Sequence, residues 1–128
     1  YAKAMMEHKD FTTLKKPEQA DLVRLTVKDM GFPQGAIIQE IYAKSEELGM
    51  ELCPAEVGPH YRLAYTNQPM GEWVHIGMKQ IADPDGRPDV FNVERGEGGL
   101  WLGNVWVGPE DRWNTDRQFV FRLRKSKT

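Results

Sequence analysis

From His60 onward, apolar and polar residues take turns along the chain. Tyr61, Leu63 and Tyr65 alternate with Arg62 and Ala64. Val74, Ile76 and Met78 alternate with Trp73, His75 and Lys79. Phe91 and Val93 alternate with Asn92 and Glu94, Leu100 and Leu102 flank Trp101, and Phe119, Phe121 and Leu123 alternate with Gln118, Arg122 and Arg124. A period of two is that of a strand with one face buried. Short runs of this kind with turns between them predict an antiparallel meander. Asp83-Pro84-Asp85-Gly86 has Asp first, Pro second and Gly fourth, the residues a type I turn prefers, and Gly96-Glu97-Gly98-Gly99 reads as a second hairpin loop.

Ahead of that region the period changes. Residues 36–48 place Ile37, Ile38, Ile41 and Leu48 on one helical face, with Glu40 and Lys44 spaced to pair and Gly49 where a left-handed cap is expected. Val23, Leu25 and Val27 alternate with Arg24, Thr26 and Lys28 and suggest one more strand, although Glu18, Gln19 and Ala20 before them favour a helix. The expected fold class is α+β: an antiparallel sheet of about five strands, one face covered by the amphipathic helix 36–48. Residues 17–128 read as one domain, preceded by residues 1–16 as an arm or short helix that ends at Lys15-Lys16-Pro17.

Composition excludes several function classes. A chain of 128 residues can bury a core without help from disulfides or metal, and its only cysteine can form no internal disulfide. The formal charge is -2, with 17 basic and 19 acidic residues, so phosphate-driven nucleic-acid binding is not expected from the whole chain. The cluster Arg122, Arg124, Lys125 and Lys127 leaves it as a weaker alternative, its simpler reading being a solvated tail. No apolar run reaches the ~20 residues of a membrane span, no signal peptide is visible, and a cytoplasmic location is the default expectation.

The connection Leu52-Cys53-Pro54-Ala55-Glu56-Val57-Gly58-Pro59-His60-Tyr61-Arg62-Leu63 is rich in residues that fix backbone shape. Together with Leu48-Gly49, Tyr65, Gln68-Pro69 and Gly71-Glu72-Trp73 it resembles a family of small uncharacterised bacterial proteins, over a stretch from about Thr26 to Lys125. The resemblance implies a bacterial single-domain protein and carries no activity, cofactor or site with it.

Two groups of residues offer chemistry. Cys53 with His60 would be a nucleophile and base if the connection folded back, but an apolar setting beside Leu52 and Pro54 favours an inert thiol. With Glu56 the trio is one ligand short of a zinc site, so no metal and no cofactor are expected. Glu56 is expected to accept backbone amides or to pair with Arg62.

The second group follows from strand register. Keeping apolar residues opposite one another sets Leu63 against Ile76, Ala64 against His75, Met78 against Phe91, Ile76 against Val93, His75 against Glu94, and Trp101 against Glu94. Arg62, Trp73, His75, Glu94 and Trp101 then share the face opposite the helix. Such a face could hold a cationic or planar ligand, orient His75 as a base, or, with Trp106, form the seam of a homodimer. It could equally be a face of ordinary cross-strand pairs. Trp113 is expected to fold down as a plug over the sheet edge. The functional expectation is a non-enzymatic binding or interaction module. The alternative is a small hydrolase or transferase using His75 with Glu94 or Cys53 with His60.

Overall fold

The computed structural model describes residues 2–11 and 21–124. In chain order it contains α1 (Ala2–Glu7), β1 (Leu22–Thr26), β2 (Ala36–Ile37), α2 (Ile38–Glu47), β3 (Met50–Glu51), α3 (Val57–Ala64), β4 (Trp73–Ile76), β5 (Ile81–Ala82), β6 (Pro88–Gly96), β7 (Gly99–Trp106), β8 (Arg112–Trp113) and β9 (Gln118–Leu123). The fold is α+β, as its sequence pattern predicts. The break at Lys15-Lys16-Pro17, the residues 18–20 that favoured a helix, and Lys125 and Lys127 of the basic cluster lie outside the described residues.

Seven strands form one mixed sheet, and β2 and β8 pair separately. Phe119 is flanked by Leu25 and His75, and Arg122 by Leu22 and Glu51, so β3 and β4 share one rank beside β9. Asp89 is flanked by Ile81 and Trp106, which puts β5 in that same rank beside β6. Across the sheet the order is therefore β1, β9, the β3–β4–β5 rank, β6 and β7. A purely antiparallel meander is not what forms: β4 and β9 run parallel. The last strand returns to lie between β1 and β4, a pairing distant in sequence that local alternation cannot reveal.

Residues 57–64 were expected to lead into a strand and are instead the helix α3. Pro59 lies in its first turn, where a missing amide costs nothing. Val57 and Tyr61 pack on the core while Leu63 is exposed, so the spacing of four prevails over the spacing of two. The pairings of Leu63 with Ile76 and of Ala64 with His75 fall with the strand. Gly58 lets α3 approach the sheet, because a Cβ there would lie 2.7 Å from the Phe91 ring.

Both faces of the sheet are covered, contrary to the expectation of one. Register places Trp73, His75, Asn92, Glu94, Trp101, Phe119 and Phe121 on one face, and Val74, Ile76, Phe91, Val93, Leu102 and Val120 on the other. The helix α2 lies over the first: Tyr42 meets Phe121 edge-on at 6.0 Å, and Ile38 and Ile41 are buried. The second is covered by α3 and by Phe11, whose ring meets Phe91 at 6.0 Å. The physical reason is β9. Inserted beside β4, it adds Phe119 and Phe121 to the face of His75, and the oily stripe of α2 covers that enlarged patch.

The start and end of α2 are set by local chemistry. The Glu40 carboxylate accepts the Ile37 amide at 3.1 Å, so the expected pair with Lys44 does not form and Lys44 meets Glu47 at 3.4 Å. Gly49 takes φ +83°, the left-handed cap anticipated for it. Among the described residues, no helix is long and apolar enough to cross a membrane.

Candidate functional site

Three of the five residues expected to form a surface group are brought together. Trp73 of β4, Glu94 of β6 and Trp101 of β7 are direct cross-strand partners. The β6–β7 register is the expected one, because the hairpin closing at Gly96 and Gly99 fixes it. The β4–β6 register differs by two residues: Glu94 faces Trp73, and His75 faces Asn92. A slip of two preserves which side chains share a face, so Glu94 still lies between two indoles, with directly opposed Cβ atoms about 5 Å apart.

This ladder sits on the uncovered end of the α2 face. Trp73 is 46% exposed and Trp101 53%. Among the described residues the Glu94 side chain makes no hydrogen bond and no ion pair. Two glycines shape its surroundings. A Cβ on Gly103 would come within 3.0 Å of Glu94 Oε2, so that position leaves room for the carboxylate; one on Gly98 would lie 3.2 Å from the Trp101 ring, so the hairpin loop props the indole. An unpaired carboxylate between two half-exposed indoles attracts a cation twice, by charge and by the ring quadrupoles.

His75 does not belong to this surface. It is 1% exposed and wedged between Trp113 at 4.9 Å and Phe119 at 5.3 Å, ring centre to ring centre. Burial, with the Arg117 charge nearby, pushes its pKa down to about 4, so the ring is neutral at pH 7. The His75–Glu94 acid–base couple is therefore not assembled. Trp113, anticipated as a plug over the sheet edge, covers the sheet face instead, held there by the pairing of β8 with β2. Both ring nitrogens of His75, both amide atoms of Asn92 and Nε1 of Trp113 find no hydrogen-bond partner among the described residues. Asn92 was missed in the sequence because the register was placed two residues away. The available signal was a lone amide between Phe91 and Val93.

Arg62 is also not a surface group. It projects from α3 on the opposite face and acts as a clamp. Its Nη1 donates to Gln68 Oε1 at 2.7 Å, to the Glu94 carbonyl at 3.1 Å and to the Trp101 carbonyl at 3.3 Å, and its Nη2 donates to the Tyr65 carbonyl. Gln68 in turn donates to the carbonyls of Glu72 and Val93. The guanidinium thereby fastens the end of α3 to β6 and β7 directly beneath the ladder, and its burial lowers its pKa.

Cys53 and His60 are not brought together. The thiol is buried, donates to the Val120 carbonyl at 3.6 Å, and is pushed up to about 12 by burial. His60 is exposed on α3, and its Nε2 lies 3.9 Å from the Glu56 carboxylate, which was expected to face Arg62 or backbone amides. Of the basic C-terminal cluster, Arg122 pairs with Glu51 and Arg124 donates to the Glu46 carbonyl at 3.2 Å. No group of three or more metal-ligating side chains occurs among the described residues.

Two further constellations are closed on themselves. Tyr65 Oη donates to Glu72 at 2.7 Å while Arg24 donates to Tyr65 at 3.0 Å and to Glu72 at 3.2 Å, which ties the β1 edge to the loop before β4. A cleft of about 390 Å³ between α2 and β3 is lined by Ser45, Glu51 and Arg124 among others, but Ser45 donates to the Tyr42 carbonyl and Glu51 meets Arg122. Against known proteins, no family model, curated sequence or solved structure matches this chain.

Proposed function

We propose that this protein is a non-catalytic binding module whose recognition surface is the Trp73–Glu94–Trp101 ladder, and that it takes a cationic group of its partner between the two indoles. One observation carries the reading: Glu94 makes no ion pair among the described residues, and it stands between two half-exposed tryptophans on three adjacent strands. The scaffold suits the task, because Arg62 fixes the backbone of both Glu94 and Trp101 from behind.

The test uses arginine amide as probe, followed by isothermal titration at low salt. A lone cation on such a site should bind in the millimolar range. Trp73→Ala and Trp101→Ala should each weaken binding by about 3-fold to 30-fold, as expected for a cation–π contact of ~0.5–2 kcal/mol. Glu94→Gln should also weaken it and flatten its salt dependence. Equal affinity in all four proteins would refute the reading.

A further inference from the structure

We infer that the free edge of β7 pairs with the β7 edge of a second copy, antiparallel about a two-fold axis at Gly103, to give a homodimer with one continuous sheet. This goes beyond the ladder's role and does not depend on it.

Among the described residues, β7 is an edge of the sheet and has a strand partner on one side only. Edge strands normally carry a charge, a proline or a bulge that discourages further pairing. The other edge, β1, follows that rule: it spans five residues and has Arg24 at its centre. β7 has none of these. Its eight residues pair with β6 in unbroken register. They lie within the run Gly98–Gly108, which carries no charge in a chain that is 28% charged. Leu100, Trp101 and Trp106 of this strand are 39%, 53% and 48% exposed.

The pairing geometry selects the partner. The Val107 amide donates to the Pro88 carbonyl, so positions of the same parity, Trp101, Gly103 and Val105, direct their backbone groups to β6. Leu100, Leu102, Asn104 and Trp106 direct theirs outward. An antiparallel copy centred on Gly103 sets Leu100 opposite the second Trp106 and Leu102 opposite the second Asn104. Every outward residue of the strand then exchanges hydrogen bonds with its counterpart. On the ladder's face, Trp101 meets the second Val105. No charge opposes another anywhere along the seam, and the interface is isologous, as a two-fold requires. The three exposed side chains of each copy together remove roughly 600 Å² of apolar surface. That is a small interface, below the roughly 1,000 Å² of a stable complex, so the dimer is a weak, transient one.

Sedimentation of the intact chain over increasing concentration, up to about 300 µM, tests for such a dimer. Leu100→Glu keeps a favourable partner in Arg95 across β6; Trp106→Lys has Asp89 across β6 but gives up the contact of Arg87 with the indole, so thermal unfolding of each variant checks that it folds. Each alone should be monomeric throughout, while their equimolar mixture should dimerise, because Glu at 100 then meets Lys at 106. Amide exchange of the unmodified protein supplies a second readout: the amides of Leu100, Leu102, Asn104 and Trp106 should slow as concentration rises. A native protein that stays monomeric, a dimer that survives Leu100→Glu, or edge amides that exchange equally fast at both ends of the range would overturn the inference. Because Trp101 takes part in both surfaces, arginine-amide binding is measured separately at a concentration where the chain is monomeric.

Discussion

Replacing Asp89 by Asn should stabilise this protein at neutral pH. Asp89 is 1% exposed, its Oδ2 accepts from Asn104 Nδ2 at 2.6 Å, and its Oδ1 has no donor among the described residues. Its hydrogen-bonding neighbour is Asp83, whose own carboxylate accepts the amides of Asp85 and Arg87 at 2.8 and 3.0 Å. Burial pushes against ionisation of Asp83, yet the backbone donors and Asp89 hold it below the usual carboxylate value. Asp89, pushed up by burial first and despite the Asn104 bond, reaches about 6. The folded protein thus keeps a proton between the two carboxyls that the unfolded chain releases near 3.8. Stability from Asp89 is present below pH ~4 and is lost as pH rises to about 6, a loss on the order of 3 kcal/mol that the lowered value of Asp83 offsets in part.

An amide at position 89 reproduces the protonated carboxyl, accepting from Asn104 and donating to Asp83. Asp89→Asn should therefore match the native protein at pH 4 and exceed it by about 3 kcal/mol at pH 7.5, read by urea unfolding. His75 works in the opposite sense. Its depressed pKa means that unfolding takes up a proton between about 6.5 and 4, so stability from this group falls as pH falls through that window. The two slopes largely cancel in the native protein, and Asp89→Asn should expose the His75 slope alone. A stability difference between native and variant that does not change with pH would refute the reasoning.

Arg62→Met should destabilise by about 3 kcal/mol, since it leaves the Tyr65 carbonyl and Gln68 Oε1 without a buried donor and unfastens α3 from β6 and β7; chemical unfolding measures it, and a loss under about 1 kcal/mol would show the clamp to be incidental. Cys53, with its thiol pushed up to about 12, should resist a thiol reagent at pH 8 in the native protein and react fully in urea. Rapid native labelling would instead revive a nucleophilic cysteine.

Much of the architecture is legible where contacts are local. The β6–β7 pairing follows from a two-residue loop, and the end of α2 from Gly49. The strand that decides the faces is not legible: β9 pairs with β1 and β4 across most of the chain, so nothing near Phe119 announces that His75 will be roofed by Trp113. α3 was hidden because Val57, Tyr61 and Tyr65 satisfy a period of four and a period of two alike, and Pro59 looked like a break. The candidate site survived in part for a geometric reason. A register displaced by two residues keeps Trp73, Glu94 and Trp101 on one face, yet it exchanges His75 for Trp73 beside the carboxylate. Arg62 was misplaced because the clamp it forms requires a helix where alternation suggested a strand.

The most direct measurement is a titration of the four indole N–H resonances with arginine amide in a nitrogen-labelled sample. Trp73 and Trp101 should shift together along one binding curve while Trp106 and the buried Trp113 stay in place. Shifts confined to Trp106, or no shift at Trp73 and Trp101, would contradict the proposed binding surface.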